Sequence, residues 1–176
     1  MRSRNQTPER PAPRAEGVGD RRHPNLVPCD GVARLFPAVV PAAETMLDRL
    51  LAEIDWRQDE ARIMGRTVAL PRLTAWYGDA GYRYSGIDNP PRPWLPLLLE
   101  LKGVAETLAG ARFNSVLLNL YRDGRDGMGW HSDDERSLGP EPVIASLSFG
   151  ATRRFRLKHK TRPDHVLALD LPPGSC

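Results

Sequence analysis

The sequence has no long hydrophobic run and only two cysteines among its 176 residues. Its longest apolar candidate, residues 94–101, is interrupted by Pro96 and Glu100, whereas a membrane helix needs about 20 consecutive apolar residues. The first 20 residues are polar and lack the apolar region of a secretory signal. Cys29 and Cys176 form no metal-binding or disulfide pattern. We therefore expect a protein with no membrane segment in a reducing, cytoplasmic compartment.

Lysine is also scarce, with three residues against 22 arginines, and the formal net charge is only +3. The N-terminal 25 residues contain six of the arginines and three acidic residues, so this segment alone accounts for the excess. The segment contains several prolines and shows no hydrophobic periodicity. We predict that residues 1–28 are a flexible basic tail and that residues 29–176 form one domain.

The apolar and aromatic residues suffice for a hydrophobic core, since 40% of the chain is hydrophobic, with four residues each of Trp, Tyr and Phe. That composition argues against whole-chain disorder and a fibrous repeat. Apolar residues at helical spacing predict one helix over 41–54 and a second over 96–108, closed by Gly110. Short strands are predicted over 57–70 (a strand or loop pair turning at Gly65), 71–77, 82–84, 113–121, 129–133, 143–149, 152–159 and 166–171. Helices followed by serial short strands indicate an α+β domain built on an antiparallel sandwich or barrel.

A basic stretch near the C-terminus contains no acidic residue between positions 153 and 162. Within it, cations alternate with Phe155, Leu157 and His159. On a strand, this period of two places five cations on one face: Arg154, Arg156, Lys158, Lys160 and Arg162. Such a face has the charge density that contacts with a nucleic-acid backbone require, and a solvated outer face is the alternative.

One short segment carries residues typical of a metal site. His131 and Asp133 are two positions apart, so on a strand both side chains point to the same side and could bind one ion. An imidazole and a carboxylate are two of the three ligands in the facial triad that holds non-haem Fe(II). Asn119 and Tyr121 share a face in the same way and could offer an amide and a phenol to an acidic cosubstrate. A His-x-Asp triplet also occurs in surface turns, so the pattern alone leaves both interpretations open.

Several longer motifs follow one another in order around this segment. They are residues 113–124 (FNSVLLNLYRDG), 128–135 (MGWHSDDE), 144–150 (IASLSFG) and 155–160 (FRLKHK), preceded by 71–72 (PR) and 77–86 (YGDAGYRYSG). Together they closely resemble the AlkB family of Fe(II)- and 2-oxoglutarate-dependent dioxygenases, and within it the branch of the animal DNA-repair homologues. The resemblance covers roughly residues 30–176.

This resemblance implies a double-stranded β-helix (jelly-roll) core flanked by N-terminal helices, with Fe(II) as cofactor and 2-oxoglutarate as cosubstrate. His131 and Asp133 are similar to the first two iron ligands, and Asn119 and Tyr121 are similar to contacts of 2-oxoglutarate. The basic stretch would hold the nucleic-acid backbone.

The resemblance also implies five substrate-binding residues. They are Asp134, which would recognise the exocyclic amine of a flipped base, Glu135, which would support it, Tyr84 in the base pocket, Arg72, and Met64 as a wedge in the duplex. From residue type alone, Tyr84 could equally be a core aromatic, Met64 an ordinary loop residue and the two acids surface groups.

The family pattern further implies residues that this sequence does not contain. The second histidine ligand and the two arginines that bind 2-oxoglutarate lie beyond the turn that ends at Cys176, as do the final strands of the jelly roll. We therefore expect a C-terminally truncated chain, missing its final strands and a third iron ligand.

The function implied by the resemblance is oxidative demethylation of N-alkylated bases, such as 1-methyladenine and 3-methylcytosine, in DNA. This reaction repairs alkylation damage by direct reversal. The expected partner is alkylated DNA, or RNA, bound by a monomer. Two alternatives are a catalytically inactive nucleic-acid-binding remnant and a dioxygenase that acts on proteins or small molecules. The basic stretch and the Asp134-Glu135 pair argue against the last of these.

Overall fold

The structure, a computed structural model, describes residues 23–63, 65–79, 82–84, 87–89, 92–133, 138–139 and 141–176. For residues 61–63, 82–84 and 87–89 it describes the backbone alone. Most of the predicted tail lies outside the described residues, as do Met64, Asp134, Glu135 and the side chain of Tyr84.

The chain divides into two units, Met1–Leu35 and Phe36–Cys176. In the first unit, the described residues form a loop organised by Asn25. Its Oδ1 accepts a hydrogen bond from the backbone N–H of Ala33 at 2.9 Å, and its Nδ2 donates to the carbonyl of Gly31 at 3.1 Å. The described helices and strands all belong to the second unit.

Both predicted helices are confirmed, α1 spanning Ala43–Glu53 and α2 spanning Pro96–Ala109. Pro96 suits the first turn of α2 because its fixed φ is helical and the missing N–H would have no partner within the helix. Gly110 ends α2 in the left-handed conformation, with a φ of 61°, and its N–H donates to the carbonyl of Glu106 at 2.9 Å. In the described parts of the chain, no helix is long and apolar enough to cross a membrane.

The described residues form seven strands, all paired antiparallel: β1 (Arg57–Ile63), β2 (Arg66–Gly78), β3 (Tyr82–Tyr84), β4 (Ile87–Asn89), β5 (Ser115–Leu120), β6 (Arg153–Lys158) and β7 (Val166–Leu171). Strand β2 lies between β1 and β5 in a three-stranded sheet, while β3 pairs with β4 and β6 with β7. The predicted turn at Gly65 joins β1 to β2, where a φ of +80° favours glycine. The α+β class with antiparallel sheets is therefore confirmed.

Two of the predicted strands are wrong. Residues 129–133 and 143–149 are described, and neither segment forms a strand. In the second segment, the Ser148 N–H donates to the carbonyl of Ser175 at 2.9 Å, and the Ser148 carbonyl accepts from the Gly174 N–H at 2.8 Å. Apolar alternation alone does not make a strand, because a strand needs a continuous ladder of such bonds with a partner.

The hydrophobic core joins the two helices to one face of β2. Its buried side chains are Val40, Leu50, Ile54, Ala75, Tyr77, Leu97, Leu98 and Leu101. Side chains alternate along a strand, so Thr74 and Trp76 lie on the face of β2 opposite Ala75 and Tyr77. The helices therefore cover one face of the sheet, and the other face is left for the candidate site.

Candidate active site

The face of the sheet opposite the helices brings polar side chains together from three strands. Arg72 and Thr74 alternate on β2, and each is only 5% exposed. Thr74 is in register with Asn119 on β5, and its hydroxyl donates a hydrogen bond to the carboxylate of Asp59 on β1. Two sequence-predicted site residues, Arg72 and Asn119, therefore lie on one sheet face.

Arg72 is a buried cation for which the described residues supply no carboxylate partner. Among the described residues, no hydrogen-bond partner is found for its Nε, and no ion pair is found for its guanidinium. Burying an unpaired charge costs stability, so such a group is typical of a site that receives a polar or anionic ligand. This observation supports the prediction that Arg72 binds substrate.

Asn119 also holds a buried polar atom that no described residue satisfies. Its Oδ1 is buried and has no hydrogen-bond partner among the described residues. Rotating the amide by 180° about its last side-chain bond presents the NH₂ group at the same place, where it could donate to a carboxylate. The chemistry of this position therefore fits the predicted contact with an acidic cosubstrate.

Tyr121 directly follows β5 and is held by a cation. The guanidinium carbon of Arg153, the first residue of β6, lies 4.5 Å from the centre of the Tyr121 ring. Arg153 also donates to two backbone carbonyls of the loop after β5, to Asp126 at 2.7 Å and to Asp123 at 3.2 Å. These contacts set the orientation of the Tyr121 ring.

One ion pair braces the loop that follows β5. Asp126 accepts hydrogen bonds from the Nε of Arg122 at 2.7 Å and from its backbone N–H at 2.9 Å. The side-chain hydrogen bond is the larger cause that lowers the pKa of Asp126 from 3.8 to about 2. The Gly127 N–H donates to the carbonyl of Pro71 at 3.0 Å, which ties the loop to β2. The chain therefore enters the His131 segment from a fixed position.

His131 and Asp133 are in contact, although their segment is not a strand. The Nε2 of His131 lies 3.4 Å from the Oδ1 of Asp133, and the two side chains are 36% and 41% exposed. The Nδ1 of His131 lies 3.0 Å from the carbonyl oxygen of Gly129, so a proton on Nδ1 leaves the Nε2 lone pair facing the carboxylate. A hydrogen bond of this kind through the second nitrogen is typical of metal-binding histidines. Among the described residues, no further histidine, cysteine or acidic residue completes a three-ligand group with this pair.

The strand β6 contacts the same segment through Trp130. The guanidinium carbon of Arg156 lies 5.2 Å from the centre of the Trp130 ring. Arg154 pairs instead with Asp170 on β7, with nitrogen–oxygen distances of 3.0 and 3.2 Å. Of the two arginines, Arg156 is therefore the one held next to the candidate metal ligands.

The predicted basic strand face of five cations is too long. β6 ends at Lys158, so Arg154, Arg156 and Lys158 share one strand face. Lys160 and Arg162 lie in the turn that leads to β7, where the strand period no longer applies. The five cations therefore do not share one strand face, and Arg154 is engaged by Asp170. Their role in binding a nucleic-acid backbone stays a prediction.

Three residues of this region were not predicted from the sequence: Asp126, Trp130 and Arg153. Arg153 belongs to the basic stretch, but its odd position places it on the strand face opposite the predicted one. This difference in position was the signal that could have separated Arg153 from the other cations. Trp130 precedes His131, yet a tryptophan in a sequence is more often a core residue than an exposed one.

The antiparallel fold and the imidazole–carboxylate pair define a candidate non-haem iron enzyme. Sequence comparison identifies the family, since residues 33–176 match the 2OG-Fe(II) oxygenase superfamily. The chain belongs to this superfamily, which confirms the predicted resemblance and implies Fe(II) and 2-oxoglutarate as cofactor and cosubstrate.

The curated relatives include AlkB homologues of several animals. The chain is 48% identical over 139 residues to the alpha-ketoglutarate-dependent dioxygenase alkB homolog 3 of Rattus norvegicus, which covers 76% of this chain and 47% of the relative. The protein of the same name from Homo sapiens is 47% identical over 139 residues, covering 76% of this chain and 49% of the relative. The DNA oxidative demethylase ALKBH2 of Mus musculus is 35% identical over 185 residues, covering 95% of this chain and 77% of the relative. The chain spans about half the length of the first two.

The described residues of the site would supply some of the ligands that Fe(II) and 2-oxoglutarate require. His131 and Asp133 would hold the metal through Nε2 and Oδ1, which already face each other across 3.4 Å. Asn119 would hold 2-oxoglutarate through its buried amide, whose partner is missing among the described residues. Tyr121 directly follows Asn119's strand, β5, and the guanidinium of Arg153 on β6 lies over its ring.

Proposed function

We propose that this protein removes methyl groups oxidatively from N-alkylated bases in DNA, such as 1-methyladenine and 3-methylcytosine. The name of the ALKBH2 relative, a DNA oxidative demethylase, supports this class of substrate. Fe(II), 2-oxoglutarate and O₂ would together supply the oxidising chemistry: one oxygen atom of O₂ enters the N-methyl group as a hydroxyl, and the other enters succinate as 2-oxoglutarate loses carbon dioxide. The hydroxymethyl group then leaves as formaldehyde and the base is restored, with succinate and carbon dioxide as co-products.

The observation that carries the proposal is the contact between His131 and Asp133. One imidazole nitrogen is engaged by a backbone carbonyl, and the other faces a carboxylate oxygen at 3.4 Å. That arrangement presents one nitrogen and one oxygen ligand toward the same space, as a facial triad requires. The half-exposed side chains leave this space open to a large substrate.

Two cations supply the contacts with nucleic acid in this proposal. Arg156 and Lys158 are exposed on β6, and Arg156 is anchored next to the His131 segment by Trp130. Cations of this kind neutralise phosphates and position the strand without reading its sequence. Arg72 is buried on the sheet face, and its Nε has no hydrogen-bond partner among the described residues. Arg72 would therefore contact the modified nucleotide inside the site.

The remaining roles follow the family resemblance. The antiparallel sheets would belong to a jelly-roll core flanked by the N-terminal helices. Asp134 and Glu135 would recognise the amine of a flipped base, Tyr84 would line its pocket, and Met64 would occupy the gap that the base leaves. The protein would act as a cytoplasmic monomer on DNA, or on RNA.

A second candidate function is that of an inactive nucleic-acid-binding protein. It is favoured by the two-ligand metal site, since the described residues offer no third ligand to His131 and Asp133. Two protein ligands hold a metal more weakly than three, while the cations of β6 do not depend on the metal.

Formaldehyde release tests the two functions against each other. The full chain, supplied with Fe(II), 2-oxoglutarate and ascorbate, is incubated with single-stranded and double-stranded oligonucleotides that carry one 1-methyladenine or 3-methylcytosine. We expect formaldehyde from the methylated strands, and its loss in His131→Ala and Asp133→Ala. His165→Gln, which changes a histidine in the turn before β7, is the matched control and should retain turnover.

Binding of the same oligonucleotides in the presence of a chelator completes the test. Binding without any formaldehyde release from the wild-type chain would establish the second function and overturn the first. Formaldehyde release that survives His131→Ala would show that this histidine is not a metal ligand.

A further inference from the structure

Trp130 is exposed in a place where a tryptophan is not needed for packing. Its relative exposure is 60%, and it immediately precedes the candidate ligand His131. Trp56 and Trp94 pack against the hydrophobic core, and Trp76 is partly buried on β2. A large aromatic side chain gains stability by burial, so an exposed one beside a candidate active site suggests a binding role.

One side of the Trp130 ring is occupied by Arg156, whose guanidinium carbon lies 5.2 Å from the ring centre. This contact is a cation–π interaction, and it restrains the ring against β6. Arg156 has no carboxylate partner in the described parts of the chain, unlike Arg154, which pairs with Asp170. The guanidinium therefore holds the ring in place and keeps its charge available for a phosphate.

A restrained, exposed indole beside a cation matches the chemistry of proteins that bind single-stranded nucleic acid. Such proteins stack bases on aromatic rings and place cations along the backbone. In an intact duplex, both faces of each base are already stacked on neighbours, so an exposed indole stacks most readily on an unpaired base. Stacking of this kind is tolerant of sequence because every base has a π face.

We propose that Trp130 is a stacking platform for an unpaired nucleobase adjacent to the modified base, with Arg156 contacting the phosphate beside it. This inference rests on the proposed function, and it goes further by assigning to Trp130 the contact with the unpaired base next to the modified one. The group that Trp130 would bind is an unpaired base, which single-stranded DNA and single-stranded RNA both contain.

The test measures binding of the full, metal-free chain to fluorescein-labelled oligonucleotides by anisotropy, with a chelator present. The probes are a methylated single strand of DNA, the same sequence as RNA, the matching DNA duplex, and a DNA strand with abasic sites on both sides of the modified base. Trp130→Ala should weaken single-strand binding about 5- to 150-fold, the range that corresponds to losing one stacked base, while Trp130→Phe should retain most of it. Leu99→Ala removes an exposed apolar residue of α2 and is the matched control, since Leu99 is 50% exposed.

Two further sets of binding measurements distinguish a loss of base stacking from a general loss of structure in the variant. Trp130→Ala should bind the abasic strand and the duplex as well as the wild-type chain does, because neither offers an unpaired neighbour to stack. Arg156→Gln should weaken binding of every probe and reduce the salt dependence by about one phosphate contact. Arg112→Gln, at a side chain that is 90% exposed near the end of α2, should change neither quantity.

The outcomes distinguish this inference from the proposed function. Equal single-strand binding by Trp130→Ala and Leu99→Ala, an equal loss on abasic and intact strands, or no single-strand binding by the wild-type chain would overturn the platform. A Trp130-dependent preference for single strands in a chain that releases no formaldehyde would keep the platform and overturn the demethylase function. An RNA strand that alone shows the Trp130 effect would assign the platform to RNA.

Discussion

The guanidinium of Arg153 lies over the ring of Tyr121 at 4.5 Å and donates hydrogen bonds to the carbonyls of Asp126 and Asp123. One side chain at the start of β6 thus fixes both the ring at the end of β5 and the loop that follows it. The loop leads to the segment that holds His131, so this contact connects the sheet face to the candidate metal ligands. The relationship explains how residues far apart in sequence keep a common geometry.

Removal of the Arg153 side chain should therefore lower the stability of the fold. Arg153→Ala loses a cation–π contact and two hydrogen bonds, which predicts a loss of about 1–2 kcal/mol in the free energy of unfolding. Urea denaturation followed by circular dichroism measures this change. Arg125→Gln is the control, because Arg125 is 92% exposed and should change stability by less than about 0.5 kcal/mol. Equal effects of the two variants would show that Arg153 does not brace the loop.

Asp126 should make the fold sensitive to acid. Its pKa is lowered from 3.8 to about 2 by Arg122, so the folded state is stabilised above pH 4 and loses this contribution as the pH falls toward 2. Asp126→Asn should be less stable than the wild-type chain near neutral pH, and its stability should fall less steeply between pH 4 and 2. Urea midpoints across that range measure the slope. Asp123 and Asp170, whose pKa values are lowered by arginine hydrogen bonds, account for the slope that the variant retains.

Two leucines on α2 test the assignment of the core. Leu97 is fully buried and Leu99 is 50% exposed, although they are two positions apart on the same helix. Leu97→Ala should lower the free energy of unfolding by about 2–5 kcal/mol, because it leaves a cavity in the core. Leu99→Ala should cost less than about 0.5 kcal/mol. Similar losses from both substitutions would contradict the packing of α2 against the sheet, and thermal or urea denaturation measures them.

Two glycines should respond to alanine in opposite directions. A Cβ on Gly78 would lie 2.5 Å from the carbonyl oxygen of Asn114, a backbone atom that cannot move without disturbing the end of β2. Gly78→Ala should therefore destabilise the protein by about 1–3 kcal/mol. A Cβ on Gly103, within α2, meets no atom within 4 Å, so Gly103→Ala should stabilise by about 0.5–1 kcal/mol through helix propensity. Melting temperatures of the two variants that shift in the same direction would contradict this geometry.

Local sequence signals predicted the helices and the turn of the first hairpin. Pro96 and Gly110 bracket α2, and Gly65 marks the turn between β1 and β2, because these residues impose or permit backbone angles that few others share. The segment 143–149 has the apolar character of a strand, but among the described residues it makes only isolated backbone hydrogen bonds, at Ser148, and forms no strand. Strand pairing depends on residues distant in sequence, which a local pattern does not contain.

In the candidate site, too, local spacing predicted that two side chains lie close together, whereas contacts between distant segments were not predicted. The spacing of His131 and Asp133 predicted a shared ion, and the structure brings their ligand atoms within 3.4 Å, although through a loop rather than a strand. The even spacing of the basic stretch overestimated its face, since the strand ends at Lys158 and Asp170 engages Arg154. Charge is visible in a sequence, but the partner that engages it across a sheet is not.

Residue types and their order by themselves determined the family, its Fe(II) and 2-oxoglutarate chemistry, and the two helices, because motifs and capping residues act over a few positions. The tertiary structure decided the burial of Arg72, whose Nε finds no partner among the described residues, the stacking of Arg153 on Tyr121, and the exposure of Trp130 beside Arg156. Each of these depends on which distant segments pack together. Packing selects one arrangement from the many that the same local pattern permits, and the candidate binding surfaces arise from that arrangement.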